Sequence, residues 1–152
     1  SFGGTYWRPI KSGVTGKQYK DVYKSFPPEW WEGLPEDWLT TKWENYNSGI
    51  NQYRVKVGST LEEWEEKDWI SDTHPYGWVH WYCDFYRGNR CPDDDRQINR
   101  WIRTAGPKSR WRRRLINLLQ AEGKGFDDRS VSPKIRQILQ HWGYRLTRKD
   151  FK

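Results

Sequence analysis

Two rhythms divide this 152-residue chain. From residue 59 onward apolar residues recur every three or four positions, the spacing of one helix face. "STLEEWEEKDWI" opens on Thr60 with Glu63 three places later, a capping-box arrangement. "CPDDDRQINRWIRTAG" sets Pro92 and three Asp at a helix start, where carboxylates complement the helix dipole. Ile98, Trp101, Ile102 and Ala105 then fall on one stripe. "PKSRWRRRLINLLQAEG" aligns Trp111, Leu115, Leu118 and Leu119. "SPKIRQILQHWG" aligns Ile135, Ile138, Leu139 and Trp142, and ends at Gly143. These last three helices are expected to form a compact bundle.

The stretch "HPYGWVHWYCDFYRG" behaves differently. Read as a helix it puts Trp78, Trp81, Tyr82 and Phe85 on one face and Val79, Cys83 and Tyr86 beside them. A helix apolar nearly all round is a buried helix, so this segment is expected at the centre of the molecule. Residues 1–58 show only short, broken patterns. "GTYWRPI" and "GKQYKDVY" are predicted to pair as a hairpin, with Pro9 confining the first to an edge. "FPPEWWEGL" and "LPEDWLTT" read as single helical turns, and "QYRVKVG" alternates like a short strand. The prediction is a mainly α, single compact domain over residues 1–152. A helical core (59–152) carries a small irregular or β-hairpin N-terminal part (1–58).

Composition changes the expected core. Leu, Ile, Val and Phe make up less than a fifth of the chain. With high net charge, a share below roughly 20% suggests disorder. Twelve Trp and nine Tyr argue against it, because disordered chains are poor in aromatics. Each buried ring hides on the order of 150–250 Å². Each Trp and Tyr also brings an N–H or O–H that needs a partner, so a core laced with ring-to-backbone hydrogen bonds is expected. No run of about 18 apolar residues occurs, and no signal-like apolar segment opens the chain. An intracellular protein, of cytoplasm or nucleus, is the expectation, although "SFGGTYWRP" also fits a trimmed start. Cys83 and Cys91 are too few for a disulfide framework or a zinc site and read as idle thiols, with a bridge across the turn at Gly88 the alternative.

Charge separates the halves. Residues 1–86 hold 9 basic and 13 acidic groups, net −4; residues 87–152 hold 18 basic and 7 acidic groups, net +11. Such asymmetry points to a polyanionic partner. Arg103, Lys108, Arg110, Arg113, Arg114, Lys134 and Arg136 are the candidate contacts, since guanidinium forks match phosphate oxygens. DNA or RNA is the leading expected partner, and an acidic protein surface is the other. The helix–"AGPKS"–helix join resembles a helix-turn-helix in outline only.

A second reading is a small enzyme or ligand-binding protein with an aromatic-walled pocket for a cation or a planar base. Its wall would come from Trp78, His80, Trp81, Tyr82 and His141, with Asp94 or Arg96 as further polar members. A third is a protein-interaction or structural module. His80 and Asp84 stand four apart, the arrangement of an oriented general base and equally of an ordinary satisfied pair. His141, in a last helical turn, reads as a cation favoured by the dipole. No Walker loop, GxSxG elbow, HExxH or dinucleotide fingerprint is present, and neither cofactor nor metal is expected.

The motifs "FGGTYWRPI", "TGKQYKDV", "YGWVHWYCDFYRG", "DDDRQI" and "LQHWGY" resemble those of a widespread family of small Trp-rich proteins. That family has no established activity, fold or ligand, so the resemblance implies no functional residue. In its motif Gln stands at the position of His80 and Arg at that of Asp84. The resemblance therefore implies that a His80–Asp84 pair is not the family's chemistry.

Overall fold

Residues 1–151 are described by the computed structural model. Helical segments, counting 3-10 turns, hold 47% of the chain, and a small antiparallel hairpin completes the regular structure. The five α-helices are α1 (Leu61–Glu66), α2 (Trp78–Tyr86), α3 (Asp94–Ala105), α4 (Arg110–Ala121) and α5 (Pro133–His141). The hairpin joins β1 (Ile10–Lys11) to β2 (Gln18–Tyr19), with Ile10 opposite Tyr19 and Lys11 opposite Gln18. The two Pro-led stretches form single 3-10 turns, Pro28–Trp30 and Glu36–Trp38, as their sequence predicts.

Side-chain caps mark the starts of α1 and α4. Thr60 Oγ1 accepts from the Glu63 N–H at 3.2 Å, and Ser109 Oγ accepts from the Arg112 N–H at 3.1 Å. Helix α2 begins at Gly77, which has no side chain to cap with. Its His80 N–H is satisfied instead by the Tyr6 hydroxyl at 2.9 Å, a cap supplied from 74 residues away.

Two hydrophobic clusters fill the interior. One is built by Tyr6, Trp7, Tyr23, Phe26, Leu39, Tyr76 and Cys83. The other is built by Ala105, Leu115, Leu119, Val131, Ile135, Leu139 and Leu146, where α4 packs between α3 and α5. Ring-to-backbone bonds run through the fold: Trp31 Nε1 donates to Tyr23 O (2.8 Å), the Tyr76 hydroxyl to Arg8 O (2.7 Å), and Trp101 Nε1 to Trp142 O (2.8 Å).

The chain start is threaded into the fold. Gly3 has φ +64, and a Cβ there would lie 2.5 Å from the Tyr46 ring, so only glycine fits. Its N–H donates to buried Asn51 Oδ1 at 2.7 Å. Phe2 stacks on His141 with ring centroids 4.0 Å apart. The Tyr53 N–H donates to Gln137 Oε1 at 2.9 Å across 84 residues of sequence, and Gln137 is fully buried.

Several expectations are corrected. Of the 12 Trp, only Trp7 and Trp81 are buried; Trp38 is exposed and the rest are half-buried. Helix α2 is not enclosed on all sides, since Tyr82 and Tyr86 are exposed. Their rings form a ladder with Trp78, and phenol rings tolerate such an edge because the hydroxyl reaches water. Ile102 also faces solvent, and Gln97 takes the interior position on α3. "QYRVKVG" forms no strand, because the Tyr53 N–H is committed to Gln137 rather than to a ladder.

Candidate nucleic-acid interface

Arg103 ends α3, Lys108 lies in the turn, and Arg110, Arg113 and Arg114 open α4; all are exposed, as is Lys134 on α5. None of these six takes part in an ion pair among the described residues. Most of the nearby carboxylates are committed elsewhere. Asp93 is held by Arg96 (2.5 Å) and Gln97 (2.9 Å), and Asp94 accepts from Trp81 Nε1 (2.8 Å). Asp128 accepts from Ser130 (2.6 Å), and Asp150 accepts from the Tyr144 hydroxyl (2.6 Å). The first turn of α4 has no acidic residue. Its arginines crowd the positive end of the helix dipole, which costs about 0.3–1 kcal/mol for each unfavourable charge. A helix stabilised for its own sake would carry carboxylates there, as α3 does with Asp94 and Asp95. Local rules broken in this way are expected where a surface serves a ligand.

Two arginines expected or available on this face are turned inward. Arg136, a predicted phosphate contact, is buried and donates to Phe126 O (2.7 Å) and Asp128 O (2.9 Å). Arg112 is buried too: it donates to Ala105 O, pairs with Asp150 at 3.3 Å and lies over the Tyr144 ring at 3.7 Å. Spacing marks both, since Arg112 lies three and seven residues before core Leu115 and Leu119, and Arg136 three before Leu139. Their task is to satisfy carbonyls left over at helix ends and loops.

Beside the basic face lies an open cleft of about 740 Å³. Its wall includes Trp64, Trp69, Trp78, Trp111 and Trp142 together with Arg96, Arg100 and Arg103. The arginines fall at i, i+4 and i+7, one face of α3. Arg100 lies over both Trp69 (5.4 Å) and Trp142 (5.3 Å), and Trp142 meets Trp78 at 4.9 Å. Burial, and next the like charge of Arg96, lowers the Arg100 guanidinium to about 10; Arg103 acts the same way and Asp93 against. It remains charged at neutral pH.

Of the predicted pocket residues, Trp78, His141 and the polar candidate Arg96 reach this cleft. Tyr82 lines a separate apolar groove with Trp30 and Trp38. Trp81 is buried against Phe85 and bonded to Asp94. His80 is buried among Trp7, His74 and Tyr76, and burial lowers it to about 4. Asp84 pairs not with His80 but with His74, at 2.8 Å; the bend at Pro75 and Gly77 turns the His74 ring back onto α2. Burial lowers His141 to about 3, so it is a neutral ring on Phe2 rather than a cation at a helix end. Cys83 and Cys91 are free thiols, and burial pushes Cys83 up to about 12, which disfavours a nucleophile.

Trp64, Trp69 and Arg100 are wall members that the sequence did not reveal, and Trp111 and Trp142, expected on buried helix stripes, join them; the three-arginine face of α3 was the available signal. Among the described residues no group of three or more potential metal ligands occurs, and no helix is long and apolar enough to cross a membrane. No family model, curated protein or solved structure matches the chain.

Proposed function

We propose that this protein binds nucleic acid, with Arg103, Lys108, Arg110, Arg113 and Arg114 contacting backbone phosphates. The observation that carries the reading is the set of exposed, unpaired cations gathered at the dipole-positive start of α4. A phosphate placed there gains guanidinium donors, the free N–H groups of a helix N-terminus and the dipole together. It also removes the mutual repulsion of the arginines. Arg136 drops out of the contact set because its guanidinium is used inside the fold.

Fluorescence anisotropy with a labelled oligonucleotide tests this across salt. Five phosphate contacts on a duplex predict an affinity loss of about 500-fold between 50 and 200 mM salt, from counterion release. Replacing Arg110, Arg113 and Arg114 together by Glu should abolish binding while leaving the fold intact, since all three are solvent-facing. Absence of binding at 50 mM salt, or binding that ignores the triple replacement, rules the reading out.

A further inference from the structure

We propose that the Trp-lined cleft receives unpaired bases, so that the nucleic acid bound is a single strand rather than a duplex. This deepens the nucleic-acid reading and rests on it. The cleft volume, about 740 Å³, lies within the roughly 300–1,000 Å³ of small-ligand sites. Four cationic side chains, Lys67 among them, face it against the single carboxylate of Asp68. That balance opposes a cationic guest, which an aromatic cage alone would suit, and favours a neutral planar group tethered to an anion, as a base is to its phosphate. Arg100 has no carboxylate partner among the described residues; its bonds are to Trp69 O (3.2 Å) and Gln97 Oε1 (3.0 Å).

Cleft and basic face are continuous. Arg103 belongs to both, and Trp111, in the cleft wall, carries Arg110 over its ring at 5.0 Å. A strand tracking the phosphates along α4 would therefore deliver its next bases to indole faces, the combination used for sequence-tolerant single-strand binding. Paired bases stay stacked inside a duplex and cannot enter.

The experiment compares a 16-nucleotide single strand with a 16-nucleotide hairpin of equal phosphate number, in DNA and RNA forms, at 50 mM salt. The wild-type protein should bind the single strand at least about tenfold more tightly and lose tryptophan emission as bases stack. Trp69→Ala should weaken single-strand binding by about tenfold and leave the hairpin unchanged, and Trp69→Phe, which keeps a ring, should retain most of the affinity. Equal affinity for the hairpin, or single-strand binding without any change in emission of the wild-type protein, overturns the proposal. So does adenosine monophosphate bound as tightly as the strand. Binding of neither nucleic acid overturns the nucleic-acid reading itself, and the cleft assignment with it.

Discussion

Around Trp7 the interior is made of rings; around Leu115 it is made of Leu, Ile, Val and Ala. The ring-built cluster serves a backbone of 3-10 turns and a two-residue-per-strand hairpin, which leaves many N–H and C=O groups outside any ladder. Aromatic side chains with a polar tip suit that backbone, filling volume while reaching leftover groups, as Tyr6, Trp31 and Tyr76 do. The aliphatic cluster serves helices whose middle turns satisfy themselves internally and need only interlocking ridges, while Arg112, Arg136 and Trp101 reach the carbonyls left over at helix ends and loops. The contrast teaches that the residue type of a core follows the hydrogen-bond debt of the backbone around it.

The largest test of this contrast is Leu115→Ala. Leu115 is fully buried and has no polar role, so the loss should be about 4 kcal/mol of transfer and cavity energy, read from urea unfolding. Acidification probes the ring cluster next. His80 is held neutral below its unfolded value near 6.5, so the unfolded chain binds the extra proton. Stability should therefore fall as pH drops from about 6.5 to about 4, by about 1.4 kcal/mol per pH unit for His80 alone. His141 acts in the same direction. His80→Phe should flatten that slope, and an unchanged slope would place the titration elsewhere. The smallest effect belongs to Tyr6→Phe, which keeps every ring contact and removes one hydroxyl. A loss of about 1 kcal/mol is expected from the uncapped His80 N–H. A loss as large as that of Leu115→Ala would mean that polar tips, not buried area, dominate the aromatic cluster.

What could be read from the chain follows the same division. Helix positions from Thr60 to His141 were legible because periodicity and caps are local, and the hairpin and Pro-led turns were legible because Gly and Pro restrict the backbone locally. The basic face was legible at Arg103, Lys108, Arg110, Arg113 and Arg114, where side chains simply face water. Arg136 was misread because a binary pattern sends an arginine outward, whereas the leftover carbonyl of Phe126 draws it in, as that of Ala105 draws in Arg112. Asp84 was paired with the wrong histidine because a helical spacing of four is visible in sequence and a return across Pro75 is not. The cleft was illegible for the same reason. Trp69 precedes α2, Arg100 sits in α3 and Trp142 follows α5, and only the closed chain brings them together.

The threading of the first residues bears on how the protein is made. Phe2 comes to rest against His141, and Tyr53 hands its N–H to Gln137, 84 residues later. On a ribosome adding about 5–20 residues per second, these earlier residues wait on the order of ten seconds for the later partners that receive them. During that interval their indoles and phenols have no finished interior to enter. These residues are thus completed only by partners translated after them, and the wait is the stage at which a chaperone would be of most use.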